Sequence, residues 1–197
     1  MIAGLLLAAG RAERFGADKL AAKLNGRSVI RWSAEAVAPE VGALYVVVPL
    51  GSNDATRSLS CLEVRLVENW ARDEGMASSI RAGIEALPAD VEAVVVTLAD
   101  QPLVSPTVVR ALIERWRVGD AAAVAPVYSD GRGHPVLFGR ECFSSLAALR
   151  GDVGARSVLD SLGPRLALIP VDADAPADVD TAEDLRAIQR RLTEPTR

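Results

Sequence analysis

Short apolar runs alternate with longer segments of helical periodicity along almost the whole chain. Two of the runs, residues 2–8 and 91–98, consist almost entirely of apolar residues. Such runs are typical of strands that are buried on both faces of a parallel sheet. Further strands are predicted at residues 44–48, 64–67, 121–127, 135–138 and 166–171. The alternation predicts an α/β fold, a single three-layer, Rossmann-like domain over residues 1–197 with a mostly parallel sheet.

Helix boundaries are marked most clearly in the second half of the chain. Ser105 can cap a helix whose first turn accepts Pro106. Thr181 can cap the last helix, because Asp184 stands three residues later as a capping-box partner. We expect the chain to fray after residue 192. The other helices are predicted at residues 28–38, 76–87, 143–149 and 152–162.

Composition and charge argue against several classes of protein. The 197 residues carry a net charge of −4, whereas binding to a nucleic-acid backbone needs a basic face. The two cysteines, Cys61 and Cys142, are too few for a disulfide framework, which favours a reducing, cytoplasmic location. The apolar run at residues 2–8 is too short to span a membrane, and no basic residues precede it as in an export signal. We therefore expect neither a nucleic-acid partner nor a membrane partner.

The loop after the first strand, residues 10–19, combines glycines with cations. Gly10 and Gly16 let the backbone wrap closely around a ligand, and free N–H groups in such loops hold phosphate oxygens. Three cations, Arg11, Arg14 and Lys19, add positive charge. The loop is neither a Walker P-loop nor a G-x-G-x-x-G motif. It is either a phosphate-binding loop or an ordinary turn with solvated basic residues.

Acidic residues near the ends of two later strands are candidate metal ligands. Asp100 directly follows the strand at residues 91–98 and its neighbouring Ala99. Mg²⁺ prefers one or two carboxylates together with substrate phosphates, so Asp100 suits it, although an aspartate here can also simply cap a loop. A second group of carboxylates lies at residues 172–180, and one of them, such as Asp180, can complete a metal site. A solvated loop is the alternative for that group.

The loop and several later segments resemble one family. Residues 7–19, LAAGRAERFGADK, resemble the nucleotide-binding signature LAAGxSxRMGxxK of the molybdenum-cofactor nucleotidyltransferases and their sugar-nucleotide relatives. Ala12, Phe15 and Ala182 depart from the family pattern, where serine, methionine and proline are usual, and Ala12 removes a possible hydroxyl contact to phosphate. The segments that match the cytidylyltransferase branch are residues 69–80, 100–102, 132–138, 151–156 and 178–185.

The resemblance implies a fold of the nucleotide-diphospho-sugar transferase type and a reaction. CTP and a molybdopterin-type cofactor would give the cytosine dinucleotide form of the cofactor and pyrophosphate. Asp100 and Asp180 would hold Mg²⁺, and Lys19, helped by Arg11 or Arg14, would neutralise charge on the phosphates. The residues implied to line the nucleotide are Leu7, Ala8, Ala9, Gly10, Arg11, Lys19, Gly75, Met76 and Ser79.

Recognition of the nucleobase and binding of the pterin acceptor are each assigned to a small group of residues. Ala9 and Gln101 stand where the guanylyl branch tends to differ, and the Ala9 methyl is expected to crowd a purine and favour CTP. Arg132, His134 and Arg156 are expected to form a pterin lobe within residues 131–156, since arginines grip phosphate through paired hydrogen bonds. A structural turn residue is the alternative for His134.

Three other functions are compatible with the sequence. One is a guanylyltransferase of the same fold that uses GTP, and another is an enzyme with a sugar-phosphate acceptor. The third, from a different class, is a non-catalytic accessory protein that carries the cofactor to a recipient molybdoenzyme. Loss of Lys19 or Asp100 would favour that third function, but both residues are present.

Overall fold

The computed structural model describes residues 1–10, 18–152 and 154–193. The strands in these residues are β1 (Ile2–Leu7), β2 (Lys23–Leu24), β3 (Arg27–Ser28), β4 (Ala43–Pro49), β5 (Val64–Asn69), β6 (Ala93–Leu98), β7 (Ala123–Tyr128), β8 (Gly131–Arg132), β9 (Val136–Gly139) and β10 (Leu166–Pro170). The helices are α1 (Val29–Val37), α2 (Asn53–Ser58), α3 (Met76–Glu85), α4 (Pro106–Arg117), α5 (Phe143–Ala147), α6 (Arg156–Ser161) and α7 (Ala182–Thr193).

One mixed sheet of eight described strands forms the centre of the molecule. Its order is β10-β7-β9-β6-β1-β4-β5, and β8 pairs with β7. The pairs β1–β4, β1–β6, β4–β5 and β7–β10 are parallel, whereas β9 runs antiparallel to both of its neighbours and β8 runs antiparallel to β7. The predicted mostly parallel sheet is therefore confirmed.

Helices cover both faces of this sheet. Successive residues of a strand point to opposite faces, so strands that are apolar throughout need a core on each side. Leu5 and Leu6 of β1 are both fully buried. Leu5 belongs to the core that α3, α5 and α6 share with one face, and Leu6 belongs to the core that α1, α2 and α4 share with the other. A smaller third cluster joins the β2–β3 hairpin to α7. The predicted three-layer α/β architecture is confirmed.

Several local features differ from the predicted elements, among them strand β8, which has no predicted counterpart. The β2–β3 hairpin has no predicted counterpart, although Asn25 and Gly26 have φ values of 49° and 80°, as an Asn-Gly hairpin turn requires. Helix α2 has no predicted counterpart either. The helix expected over residues 152–162 begins only at Arg156, because Gly151 turns the chain with a φ of 68°. The expectation that Asp152 opens this helix is therefore wrong.

The carboxyl ends of β6, β1, β4 and β5 meet at one edge of the sheet, which is where open α/β sheets bind ligands. Residues 8–10 leave β1 at this edge, and Asp100 follows β6 there. The chain that follows β10 returns to the same edge, where the Val179 N–H donates to the Asp100 carbonyl over 2.9 Å. Val179 is fully buried, so this contact fixes Asp180 beside Asp100.

Among residues 1–10, 18–152 and 154–193, no helix is both long and apolar enough to cross a membrane. The tail at residues 194–197, which includes most of the segment expected to fray, lies outside the described residues.

Candidate nucleotide-binding and metal site

A cavity of about 500 Å³ opens at the carboxyl edge of the sheet. Its walls are the chain after β1, the chain after β6, the segment that leads into α3, and the turn before α6. The predicted site residues that line it are Leu7, Ala8, Ala9, Gly10, Lys19, Gly75, Met76, Ser79, Asp100 and Asp180. Most of the predicted nucleotide and metal residues are thus brought together in one place.

A cluster of three charges lies in the wall of this cavity. The ammonium of Lys19 donates to Asp100 Oδ2 over 2.7 Å and to Asp180 Oδ1 over 2.8 Å. The Lys19 side chain is 9% exposed, whereas those of Asp100 and Asp180 are 24% and 51% exposed. One buried cation therefore bridges two carboxylates that still face solvent.

The protonation state of Lys19 follows from these contacts. Burial by itself lowers the pKa of the ammonium, but its hydrogen bonds to Asp100 and Asp180, together with their charges, raise the pKa above its ordinary value. Lys19 is therefore charged at neutral pH. The pKa of the nearby Asp178 carboxyl is raised by desolvation and by the charge of Asp100, against the opposing hydrogen bond from Gln101.

The Asp100 and Asp180 carboxylates fit a divalent cation. Their oxygens already converge on one positive charge, that of Lys19, so the site is built to hold a cation. No set of three or more His, Cys, Asp or Glu side chains among the described residues is arranged to hold a metal by itself. Two carboxylates completed by phosphate oxygens and water are the ligands that Mg²⁺ prefers. The site therefore suits a metal that arrives with a phosphate-bearing substrate.

The first turn of α3 forms another wall of the cavity and is held in place by hydrogen bonds from Asn69. The Asn69 side-chain amide donates to the hydroxyl oxygens of Ser78 and Ser79 over 2.8 and 3.1 Å. Its carbonyl oxygen accepts from the Ala71 N–H over 2.9 Å. Asn69 is almost completely buried, so the end of β5, the following turn and the first turn of α3 form one rigid unit.

Gly75 joins this wall to the turn before α6. Its φ is 91°, and a Cβ atom there would lie 2.6 Å from the Gly151 carbonyl carbon and collide with the Asp152 carboxylate. The Ala77 N–H also donates to the Gly151 carbonyl over 3.0 Å. Only glycine allows the two segments to pack this closely. Asp152 consequently lines the cavity, a role that was not assigned from the sequence.

Four predicted binding residues do not line the cavity. The Gln101 amide donates to Asp178 Oδ1 over 2.9 Å, and Arg132 pairs with Asp160 over 2.6 Å. Arg156 is the first residue of α6. The Nδ1 atom of His134 is buried and has no hydrogen-bond partner in the described structure.

Burial lowers the pKa of the His134 imidazole, so the ring is neutral at pH 7. The Val96 carbonyl and the charge of Asp100 oppose this shift, while the charge of Arg156 adds to it. His134 therefore lies within electrostatic reach of both Asp100 in the cavity wall and Arg156. Within the predicted pterin lobe, residues 131–156, Asp152 lines the cavity, whereas Arg132, His134 and Arg156 do not.

Part of the signature loop falls outside the described residues. Arg11 and Arg14, predicted to assist Lys19, belong to residues 11–17, as do the departures Ala12 and Phe15. Their roles stay predictions. The structure adds Arg72, which was not singled out although it lies between the matching residues Asn69 and Gly75; it lines the cavity.

A mostly parallel sheet with a cation-bridged pair of carboxylates at its carboxyl edge is compatible with a protein that binds a phosphate-bearing ligand. The sequence identifies the class more closely, because residues 4–166 match the MobA-like NTP transferase domain family. The chain belongs to this family. It is a nucleotidyltransferase of the MobA-like type.

Relatives of known designation cover almost the whole chain. The purine catabolism protein PucB of Bacillus subtilis (strain 168) is 28% identical over 203 residues, which span 96% of this chain and 97% of that protein. A probable molybdenum cofactor guanylyltransferase of Chloroflexus aggregans is 27% identical over 206 residues, which span 98% of this chain and 95% of that protein.

The fold also matches solved structures. The crystal structure of Rv0371c from Mycobacterium tuberculosis H37Rv has a TM-score of 0.86 and 27% identity, over 96% of this chain and 97% of that one. A structure of the same protein in complex with manganese matches with a TM-score of 0.81 and 25% identity, over 96% of this chain and 98% of that one. The nucleotide-diphospho-sugar transferase type of fold is thus confirmed.

Proposed function

We propose that the protein transfers CMP from CTP to the terminal phosphate of a molybdopterin-type cofactor. An oxygen of the pterin phosphate attacks the α-phosphorus of CTP, the bond between that phosphorus and the bridging oxygen breaks, and pyrophosphate leaves with its electron pair. The observation that carries the proposal is the Lys19 ammonium between Asp100 and Asp180, at the edge of a cavity large enough for a nucleotide.

Asp100 and Asp180 are the residues that would hold Mg²⁺. When bound, Mg²⁺ supplies positive charge to the triphosphate and to the attacking phosphate. Lys19 provides a second positive charge next to these carboxylates. The backbone of residues 8–10 and the first turn of α3 hold the nucleoside and orient the α-phosphorus for attack.

The preference for CTP rests on the end of β1. Ala9 lines the cavity, and its methyl group, where a glycine would have none, is proposed to reduce the room for a purine. Steric discrimination of this kind is typically worth ~1–3 kcal/mol. Transfer of GMP from GTP is the second candidate, because the relative from Chloroflexus aggregans is designated a probable guanylyltransferase.

The acceptor side is assigned to residues 131–156. The unpartnered Nδ1 of His134 leaves a buried polar atom for a hydrogen-bonding ligand, and Arg156 adds a nearby cation. The pterin phosphate then approaches from this side, while CTP occupies the side of β1. The proposal includes a cytoplasmic location for the protein and a recipient molybdoenzyme as the next partner of the product.

Pyrophosphate release from each of the four nucleoside triphosphates, with Mg²⁺ and with or without molybdopterin, tests this proposal. We expect release that depends on the pterin and is fastest with CTP. Faster release with GTP would replace the cytidylyl assignment with the guanylyl candidate. Failure to release pyrophosphate with any of the four nucleotides would contradict transfer to molybdopterin.

A further inference from the structure

Arg72 makes an unusual contact with the chain that leaves β1. Its Nε–H donates to the Ala9 carbonyl over 2.8 Å, and its Nη2 donates to the Gly10 carbonyl over 2.9 Å. The guanidinium therefore spans two successive peptide groups at the start of the signature loop. Two of its donors are thus directed at the backbone.

The base from which Arg72 reaches the loop is rigid. Arg72 begins a 3-10 turn, Arg72–Glu74, between the end of β5 and α3. The buried Asn69 side chain holds the preceding Ala71 N–H and two serines of α3, and the Arg72 carbonyl accepts from the Gly75 N–H over 3.3 Å. The backbone that carries the guanidinium is thus fixed on both sides.

The strand end that Arg72 holds is anchored to the sheet on its other side. The Ala8 N–H donates to the Val47 carbonyl of β4 over 2.8 Å, and Ala8 and Ala9 are both nearly buried. Beyond them Gly10 is exposed, with no atom near the position of a Cβ. Arg72 is therefore the contact that holds the chain where it leaves the sheet and enters the cavity.

The direction of these hydrogen bonds decides what the loop presents to a ligand. In a trans peptide the C=O and the N–H point in opposite directions. Because the Ala9 carbonyl points to Arg72, the N–H of Gly10 points away from the guanidinium. Gly10 lines the cavity, where an N–H that is not used by the guanidinium can serve as a donor for an anionic or polar part of a nucleotide.

We propose that Arg72 is a positioning residue for the nucleotide, which acts through the carbonyls of Ala9 and Gly10 and not through its charge. The inference rests on the proposed nucleotidyl transfer and adds a residue to it. A lysine keeps the charge but lacks the planar pair of donors that reaches two carbonyls at once. The two modes of action therefore predict different results for Arg72→Lys.

The experiment compares Arg72→Lys and Arg72→Gln with the wild type. A matched control is Arg140→Lys, because Arg140 also donates to a backbone carbonyl, that of Val91 over 2.7 Å, at the amino end of β6. We expect both Arg72 variants to raise the KM for the nucleotide at least tenfold while kcat changes less than threefold. The control is expected to keep the wild-type KM.

A second readout is amide hydrogen exchange at Ala8 in the protein without nucleotide. Exchange there is expected to be at least tenfold faster in both Arg72 variants, because the strand end loses its outer anchor. Wild-type KM in Arg72→Lys would overturn the inference in favour of a charge effect, and unchanged exchange at Ala8 would also overturn it. If the wild type turns over no nucleotide, the proposed function fails, while the exchange comparison still decides whether Arg72 holds the loop.

Discussion

The two halves of the sheet supply the candidate site in different ways. In the parallel half, β6 and β1 end at the cavity, so Asp100 and residues 8–10 follow directly from their strands. In the other half, β9 runs antiparallel to β6, and Val136 at its amino end pairs with Val96 near the carboxyl end of β6. The chain that reaches the site edge there is the turn before β9, which carries His134.

The two halves also differ in whether their polar groups have partners. On the proposed nucleotide side, the Lys19 ammonium pairs with both Asp100 and Asp180, and the three groups together carry one negative charge. On the acceptor side, Arg132 is paired with Asp160, whereas the Nδ1 atom of His134 is buried without a partner in the described part of the chain. The comparison indicates that the nucleotide side is organised by charge, and that the acceptor side offers a hydrogen-bonding position next to it.

The largest expected effect comes from removing one charge of the nucleotide side. Asp100→Asn keeps the size of the side chain but loses the charge that would hold Mg²⁺, so transfer is expected to fall at least 100-fold, about 2.7 kcal/mol in the barrier. Steady-state pyrophosphate release measures this effect. Asp172→Asn, at an exposed acid of the chain after β10, is the control and should retain wild-type activity.

Thermal melting of Asp100→Asn shows whether the protein still folds. We expect a melting temperature within a few degrees of the wild type, because Lys19 keeps Asp180 as a partner. A folded variant that keeps more than a tenth of the wild-type rate would argue against the metal role of Asp100.

A comparable effect, on stability, is expected where the segment before α3 contacts the turn before α6. Gly75→Ala forces a Cβ into Asp152 and the Gly151 backbone, and it strains a residue with a φ of 91°. Strain and close contact together are expected to lower the free energy of unfolding by ~2–5 kcal/mol. Urea denaturation measures this change.

Gly119 offers a matched control for that prediction. Its φ is 90°, but a Cβ there meets no atom within 4 Å. Gly119→Ala should therefore cost only the backbone strain, ~1–2 kcal/mol. If the two variants lose the same stability, the contact between Gly75 and the turn at Gly151 does not hold the two segments together.

The acceptor side can be separated from the nucleotide side by binding. His134→Ala and Arg156→Ala should weaken molybdopterin binding at least fivefold, because they remove a polar partner and a cation. Their affinity for CTP and Mg²⁺ should stay within about twofold of wild type, as for changes that touch no contact of the ligand. Fluorescence titration of the pterin and calorimetry of CTP give the two affinities. A parallel loss of both, or an unchanged pterin affinity, would refute the separation.

The smallest effect concerns pH. Burial holds the pKa of His134 in the folded protein below 6.5, so the unfolded chain binds a proton that the folded chain does not. The folded state therefore loses stability as the pH falls below about 6.5. Urea denaturation between pH 7.5 and 5.5 should show this loss in the wild type and a weaker loss in His134→Ala. Equal slopes would mean that the imidazole titrates freely in the folded protein.

The sequence predicted the parallel half better than the other half, for a physical reason. A loop that follows a buried parallel strand must emerge at the ligand-binding edge, so Gly10, Lys19 and Asp100 could be placed from local pattern alone. The antiparallel direction of β9 cannot be recognised from the sequence of its four residues, Val136–Gly139. The sequence therefore could not predict at which edge of the sheet the turn that carries His134 lies.

Other features of the site depend on contacts between residues that are far apart in the sequence. Asp180 was expected at the metal from resemblance, but its position depends on the hydrogen bond from the buried Val179 to Asp100. The role of Arg72 was not predicted, because a cation in a turn is usually solvated. Only the folded chain brings its guanidinium to the Ala9 carbonyl. The Asn-Gly turn of the β2–β3 hairpin carried a recognisable local signal at Asn25 and Gly26.

Transfer of the α-phosphorus to the pterin is the step that separates nucleotidyl transfer from other reactions of CTP. The protein is incubated with molybdopterin, Mg²⁺ and CTP that carries ³²P at either the α or the γ position, and the pterin is separated and counted. We expect the α label to move to the pterin in step with pyrophosphate release, while the γ label leaves entirely in pyrophosphate. Recovery of the γ label on the pterin, or of neither label while pyrophosphate is released, would contradict nucleotidyl transfer at the site formed by Lys19, Asp100 and Asp180.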